Sequence, residues 1–152
     1  MKKLLLVLML CTFAFACTEE KDETVNNTTI EETSSANYAG TITVGEGSGA
    51  FSEDSISIET KLSSGKMNAK LLQVKFAQAM PLRIDMEING IDYVKQNTGS
   101  YTLTGNNIIP IVMDVEYPSY TITNLSGTII NNVLSLSMTC GSYPVIYVGT
   151  LK

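Results

Sequence analysis

The sequence predicts an all-β domain in which eight or nine short antiparallel strands form an up-and-down barrel, with a two-sheet sandwich as the alternative. The main observation is a period of two in the apolar residues, which starts at Tyr38 and continues almost to the end of the chain. Such alternation is typical of strands with one buried and one solvated face. Turn-forming residues interrupt it at short intervals. A glycine at the same phase of the first and last strands favours the barrel.

Each predicted strand follows from its own apolar phase. In chain order, the phases are Tyr38-Gly40-Ile42-Val44, Ile56-Ile58-Thr60-Leu62, Leu72-Val74-Phe76, Leu82-Ile84-Met86-Ile88, Tyr101-Leu103, Ile109-Ile111-Met113-Val115, Tyr120-Ile122, Leu134-Leu136-Met138-Cys140 and Val145-Tyr147-Gly149-Leu151. The predicted turns are Ser63-Ser64-Gly65, Asn89-Gly90, Asn97-Thr98-Gly99, Gly105-Asn106-Asn107, Tyr117-Pro118-Ser119, Asn131-Asn132 and Gly141-Ser142. Asn89-Gly90 is the strongest tight-hairpin signal, because both residues tolerate positive φ.

Some positions depart from regular alternation. The apolar phase shifts between Ile122 and Leu125, which predicts a β-bulge near Asn124. Pro110 cannot donate a ladder hydrogen bond, so its strand is expected to be bulged there or to lie at an edge. The segment 70–74 has the composition of a short helix, but the alternation continues to Phe76 and favours a strand.

The two ends of the domain resemble each other. Tyr38-Ala39-Gly40-Thr41-Ile42 opens the domain and Tyr147-Val148-Gly149-Thr150-Leu151 closes it. A glycine in a strand allows another backbone or a bulky ring to approach closely. We therefore expect the first and last strands to pair and close the sheet, which removes exposed strand edges.

The first sixteen residues are predicted to be a secretory signal peptide. Lys2 and Lys3 precede an apolar run, residues 4–15, that is too short to span a bilayer of roughly 30 Å. The small residue Ala16 leads directly into Cys17, and this junction resembles the lipobox of bacterial lipoproteins. The resemblance implies that Cys17 is lipidated and becomes the first mature residue; an ordinary cleaved signal is the alternative.

Residues 17–35 are predicted to be a disordered acidic tether, and residues 36–152 the barrel domain. The tether holds six acidic residues and one lysine, with too few apolar residues to offset its chain entropy. Acidic residues directly after the cysteine resemble an export signal for the outer leaflet of the outer membrane. We therefore expect a lipid-anchored protein of the bacterial outer membrane, facing either the periplasm or the cell surface.

Charge and composition exclude several classes of function. From Ser34 onward the chain has nine acidic and seven basic residues, and neither a nucleic-acid footprint nor a polybasic membrane patch is present. Histidine is absent, which excludes Ser-His-Asp catalysis and His-ligated zinc. Cys140 is left without a partner for a disulfide and is expected to be a small buried hydrophobe. We predict no enzymatic activity, no cofactor and no metal site.

Five segments together resemble the calycin-like β-barrel lipoproteins of bacterial envelopes, whose fold is that of lipocalins and avidin. These segments are Tyr38-Ala39-Gly40-Thr41, Val74-Lys75-Phe76-Ala77-Gln78-Ala79-Met80-Pro81, Gly99-Ser100-Tyr101-Thr102-Leu103-Thr104-Gly105, Leu125-Ser126-Gly127-Thr128-Ile129 and Val145-Ile146-Tyr147-Val148-Gly149-Thr150-Leu151. The resemblance covers nearly the whole domain and implies a barrel and an envelope location. It implies no site residues, and the chain lacks the Gly-x-Trp signature of true lipocalins.

Three functions remain open at this level. The first is a non-catalytic binding module with a small apolar ligand in the barrel, whose methionines, Met80, Met86, Met113 and Met138, would be gap-fillers. The second is a partner-binding or structural protein with a solid core that contacts an envelope protein. Tyr117, Tyr120 and Tyr143 lie near predicted turns and are its candidate contact residues.

The third function is a glycoside hydrolase that uses carboxylates. Asp85 and Glu87 share one strand face, as do Asp114 and Glu116, at a separation of roughly 6–7 Å that overlaps that of glycosidases. These acids occupy the solvated phase, which favours a charged barrel exterior over a catalytic pair.

Mass spectrometry of the mature protein tests the predicted anchor. We expect the chain to begin at Cys17 and to carry fatty acyl groups there, because the thiol follows the cleavage site directly. Cys140 serves as an internal control and should stay an unmodified thiol. Mature material that begins elsewhere and carries no fatty acid would contradict the prediction.

Overall fold

The computed structural model describes residues 33–152, which form a closed antiparallel barrel of eight strands with a two-stranded hairpin beside it. The predicted barrel is therefore confirmed. The strands are β1 (Ser34–Val44), β2 (Phe51–Ser63), β3 (Lys66–Val74), β4 (Ile84–Lys95), β5 (Tyr101–Gly105), β6 (Ile111–Val112), β7 (Val115–Glu116), β8 (Ile122–Ile130), β9 (Val133–Cys140) and β10 (Tyr143–Leu151). The predicted signal peptide and Cys17 lie outside the described residues, and β1 already includes Ser34 and Ser35 of the predicted tether.

The strands follow one another around the barrel in the order β3-β2-β1-β10-β9-β8-β5-β4, and the pairing of β3 with β4 closes the ring. β6 continues the line of β5, because β5 pairs with residues 92–95 of β4 and β6 pairs with Met86 and Glu87 of the same strand. β7 returns along β6. Among residues 33–152, no helix has the length and apolar character needed to cross a bilayer.

This topology gives the barrel two different ends. At the terminal end, β1 begins, β10 ends and tight turns join β2 to β3, β4 to β5 and β8 to β9. At the loop end lie the longer connections 45–50, 75–83 and 106–121, together with the turn 141–142. The connections of the loop end include two short 3-10 helices, Gly47–Gly49 and Pro118–Tyr120.

Apolar side chains from all eight strands fill the barrel. Most of the predicted inward residues are buried, which confirms the apolar phases of β1, β2, β9 and most of β10; Leu151 is exposed. The largest fully buried side chains are Tyr147, Phe76, Ile42, Ile58, Met67, Leu71, Met86, Ile88, Ile91, Leu103, Ile122 and Leu134. Burial of this apolar surface is the main source of stability in a domain whose described residues contain a single cysteine.

The first and last strands pair as the sequence predicts. Gly40 of β1 lies opposite Gly149 of β10, and a Cβ on Gly40 would overlap the Val148 carbonyl oxygen. Tyr147 lies across Gly149, where a Cβ would overlap the tyrosine hydroxyl. The Tyr147 hydroxyl donates a 3.2 Å hydrogen bond to the carbonyl oxygen of Ile56 in β2, and burial raises the pKa of Tyr147 to about 12. Both glycines are thus needed for closure.

The predicted hairpin at Asn89-Gly90 is wrong, because β4 runs straight through these residues. Gly90 has φ of 82° and forms a bulge in which two residues of β4 lie opposite Asn68 of β3. The Asn68 side-chain oxygen accepts a 3.0 Å hydrogen bond from the Gly90 backbone N–H. The bulge shifts the alternation of inward and outward residues in β4 by one position, so that Ile88 and Ile91 both face inward. A bulge and a turn use the same positive φ, which explains the misassignment.

A second bulge changes the predicted phase of β3. Leu71 is buried in place of the predicted Leu72, because the pairing with β4 shifts between Leu71 and Val74 and Gln73 has φ of 56°. The bulge predicted near Asn124 is confirmed by a shift in the pairing of β8 with β9 and a φ of 52°.

The strand predicted over residues 109–115 is also wrong. Met113 and Asp114 both have positive φ and form the turn between β6 and β7. Pro110 precedes β6 and is in no strand, which agrees with its missing N–H. Leu82, predicted to face inward, is exposed in the connection before β4.

Candidate functional site

The three tyrosines predicted as contact residues come together at the loop end. Tyr120 is the centre of the group: its ring centroid lies 6.2 Å from that of Tyr117 and 6.4 Å from that of Tyr143. The rings of Tyr120 and Tyr143 are nearly parallel, with an interplanar angle of 17°. Phe76, which sequence reasoning placed in the core, lies on the inner side of Tyr120 at 5.6 Å. We call these four residues the aromatic cluster.

Backbone hydrogen bonds of a short 3-10 helix hold two of these tyrosines. The N–H of Tyr120 donates to the carbonyl oxygen of Tyr117 at 3.0 Å, and Thr121 donates to the Pro118 carbonyl oxygen through both its N–H (3.1 Å) and its hydroxyl (2.7 Å). Proline fixes its own φ and so favours the start of this helix. The thiol of Cys140 donates to the Tyr120 carbonyl oxygen at 3.5 Å. The helix therefore places Tyr117 and Tyr120 on one turn above the barrel.

A small apolar cavity lies beside the aromatic cluster. Its volume is 120 Å³, and it opens at the loop end. Such a volume suits one side chain or a short hydrocarbon segment rather than a whole cofactor, because ligand pockets usually have ≈ 300–1,000 Å³. The residues that line it are Met80, Ile84, Met86, Val112, Tyr117 and Tyr120.

Further apolar side chains are exposed in the connections and the β6–β7 hairpin of the loop end. Met113 at the tip of the β6–β7 hairpin is 87% exposed, and Leu82 in the β3–β4 connection is 71% exposed. Met113 is therefore no gap-filler, whereas Met86 and Met138 are buried as expected. The exposed large apolar residues of the loop end are Leu82, Ile109, Met113, Val115, Tyr117 and Tyr143. These residues lie at the same end of the barrel as the aromatic cluster.

The barrel interior is filled by side chains, unlike the loop end with its small open cavity. Five concavities of residues 33–152, with volumes of 120–570 Å³, lie on the outer wall and at the two ends. Inside, large residues such as Ile58, Leu103 and Leu134 are fully buried. An eight-stranded barrel is just wide enough for its own side chains to fill it.

Of the carboxylates considered for hydrolysis, Asp85 and Glu87 lie on the outer wall and have structural partners. The strand face predicted for Asp114 and Glu116 is wrong, because Asp114 lies in the β6–β7 turn and Glu116 in β7. Asp85 accepts hydrogen bonds of 2.9 Å from both the backbone N–H and the side-chain amide of Gln73, and these bonds lower the pKa of Asp85. Glu87 forms an ion pair with Lys70 at 3.1 Å. A general acid in a glycosidase needs a raised pKa, so Asp85 lacks the character of that role.

Arg83 also binds the β3 bulge at Gln73. Its guanidinium donates to both carboxylate oxygens of Glu53 at 2.9 and 3.0 Å and to the Gln73 carbonyl oxygen at 2.9 Å. Asp85 and Arg83 thus satisfy the backbone groups that the bulge at Gln73 leaves without a ladder partner. Within residues 33–152, no group of three His, Cys, Asp or Glu side chains is placed to hold a metal ion.

Cys140 is a buried free thiol, as the sequence predicts. Burial raises its pKa to about 12, so it is neither a nucleophile nor an accessible site for modification. Lipidation of Cys17 concerns a residue outside the described range and stays a prediction.

Sequence reasoning missed the apolar residues that complete the loop-end surface. Leu82 and Met113 were assigned to inward phases, because an apolar residue in a connection has the same sequence signal as one at the end of a strand. Comparisons with protein-family models, with curated proteins and with solved structures found no match for this chain.

Replacing Asp85 by asparagine tests its structural role. Asp85→Asn should lower the free energy of unfolding at pH 7 by about 1 kcal/mol, because a neutral amide oxygen accepts hydrogen bonds more weakly than a carboxylate. The folded-state pKa of Asp85 is lowered from 3.8, so its stabilisation is complete above that pH and is lost as the pH falls through the folded pKa. The difference from wild type should therefore shrink below pH 3.8.

Urea unfolding between pH 2.5 and 7 measures this effect. Asp114→Asn is the matched control, because Asp114 lies in the β6–β7 turn at a φ that asparagine tolerates. An Asp85→Asn difference that does not change with pH, or that equals the difference for Asp114→Asn, would contradict the assigned role.

Proposed function

We propose that this protein is a lipid-anchored, non-catalytic binding protein of the bacterial cell envelope that contacts a protein partner through the loop end of its barrel. The observation that carries the proposal is the aromatic cluster, together with the exposed apolar side chains of the connections at the same end. This surface lies at the opposite end of the barrel from Ser34, where the segment that leads to the anchor enters β1.

An anchor that leads into the terminal end of the barrel would leave the loop end facing away from the membrane. The 17 residues from Cys17 to the start of β1 reach at most about 55–60 Å when fully extended. A lipid with two acyl chains on Cys17 would hold the protein to the membrane stably. With the terminal end towards the membrane, the barrel presents Tyr117, Tyr143 and Leu82 away from it, where a second envelope protein is accessible.

The chemistry of the loop end favours a polypeptide partner. Aromatic residues near the centre of a contact surface provide much of the binding energy in protein interfaces. The cavity beside Tyr117 and Tyr120 has room for one apolar side chain of the partner. The filled interior supports this function over a small apolar ligand carried inside the barrel, because such a ligand would have to displace fully buried core residues.

Photo-cross-linking in cells tests the proposal. The full-length protein carries p-benzoylphenylalanine at Leu82 or at Tyr117, one position at a time. Both should give the same discrete adduct of protein mass after irradiation, and Tyr143→Ala should reduce the yield at Leu82 several-fold, because Tyr143 stacks on the central tyrosine. Val94 is the matched control, since it is 60% exposed but lies near the terminal end.

Two results would contradict the partner. Equal adducts at Leu82 and Val94, or none at either loop-end position, would remove the loop end as a specific contact surface. An adduct whose added mass is that of a lipid would assign the surface to an apolar small molecule.

A further inference from the structure

The charged residues of the barrel strands lie on one side only. β2, β3 and β4 carry all of them, whereas β1, β5, β8, β9 and β10 contain no Asp, Glu, Lys or Arg. The five uncharged strands are neighbours in the order β1-β10-β9-β8-β5, so their outer faces form one continuous surface. We call this surface the uncharged wall. Exterior surfaces of soluble domains normally intersperse charges of both signs, and their absence over five strands needs a physical reason.

Hydroxyl groups and branched aliphatic side chains cover the uncharged wall, and Ile130 is 46% exposed near its terminal end. Ile146 and Val148 are about half exposed at its centre, and a shallow depression of 470 Å³ crosses it. In the middle of the wall, the strand register aligns the outward residues in two rows. The first row is Thr102, Thr128, Ser135, Val148 and Thr41, and the second is Thr104, Ser126, Ser137, Ile146 and Thr43.

We propose that the uncharged wall is the contact surface between two copies of this chain, which stand side by side. From Ser34 onward the chain has nine acidic and seven basic residues, and those of the barrel strands lie on β2, β3 and β4, so two copies that met through that side would have to desolvate charged groups and bring carboxylates together. The uncharged wall is the side of the barrel where they meet without that cost, except at its β1 edge, where the Thr41 hydroxyl donates to the Asp54 carboxylate at 2.7 Å. A Ser or Thr hydroxyl both donates and accepts, so a row of hydroxyls is complementary to a copy of itself. Ile146 and Val148 supply apolar contact at the centre.

The closed barrel limits how copies meet. Because none of the eight barrel strands has a free edge, contact through the wall occurs between side chains and not by strand addition. A two-fold axis parallel to the barrel axis joins side walls and keeps both terminal ends facing the same way. Both anchors then reach one membrane, an argument that rests on the anchor in the proposed function. Contact through the loop ends would point the two anchors in opposite directions.

The size of the wall fits a modest interface strengthened by anchoring. Five strands spaced about 4.8 Å apart make it roughly 24 Å wide. Because the wall curves around the barrel, a second copy can touch only part of this width, and the contact is small compared with a standard interface, which buries about 800 Å² on each partner. Confinement of copies to one membrane surface raises their effective concentration and favours the pair.

Cysteine cross-linking of the full-length protein in its own membrane tests the proposal. Ser126→Cys, Ser137→Cys and Val148→Cys are made one at a time and treated with a short bismaleimide. At least one should give a dimer of the chain in good yield, because all three residues face outward on the uncharged wall. Lys61→Cys on the charged side is the matched control, and the unsubstituted protein is the blank, since Cys140 is buried.

A charge added to the uncharged wall provides the second measurement. Val148→Lys should reduce the dimer yield of the cross-linking variant at least tenfold, whereas Lys61→Glu should leave it unchanged. Equal dimer yields from both sides of the barrel, no dimer from any wall position, or a dimer insensitive to Val148→Lys would overturn the proposal.

Protection of the wall thiols from maleimide without dimer formation would assign the wall to another occupant, such as a neutral polysaccharide, and would also overturn the proposal. Because these variants leave Leu82 and Tyr117 intact, loss of the dimer with loop-end adducts retained refutes only this inference. Loss of the loop-end adducts with the dimer retained refutes only the partner contact.

Discussion

The close approach of the first and last strands is the constraint on which the rest of this structure depends. Gly40 and Gly149 lie opposite each other where β1 meets β10, and neither position has room for a Cβ. Tyr147 covers the gap that the glycines leave, and its hydroxyl reaches the backbone of β2 beyond β1. One tyrosine thus links three consecutive strands at the point where the chain closes on itself, and the closed ring leaves no barrel strand with a free edge.

Closure also explains the bulges and the polar groups around them. A small barrel needs strongly curved strands, and β-bulges provide that curvature at the expense of ladder hydrogen bonds. Asp85, Arg83 and Asn68 supply the missing partners, so the charged side of the barrel stabilises its own irregularities. The strands opposite need no such charges, which leaves an outer face free for contact with another molecule. The loop end, where no ladder covers the core, exposes the aromatic cluster.

Local patterns predicted the strands, and a shared glycine phase at Gly40 and Gly149 predicted their closure. The same reasoning failed at Gly90, because a positive φ serves a bulge and a turn equally well and only the neighbouring strand decides between them. It failed at Met113, because an apolar residue in a turn has the same sequence signal as one in a strand. The grouping of Tyr117, Tyr120 and Tyr143 depends on topology: a turn between β9 and β10 brings a distant tyrosine onto the short 3-10 helix. The uncharged wall also depends on topology. The scarcity of charged residues after Gln96 is visible in the sequence, but the strand order alone turns it into one continuous wall.

Chemical denaturation of Gly40→Ala beside Gly49→Ala tests this account most directly. A Cβ at position 40 meets the backbone of β10, whereas one at position 49 has open space around it, so the pair separates close approach from the general effect of replacing glycine. The account predicts that Gly40→Ala lowers the free energy of unfolding by about 1–3 kcal/mol or more, while Gly49→Ala changes it little. Equal stability of the two variants would show that β1 and β10 do not meet as described and would contradict the closed barrel.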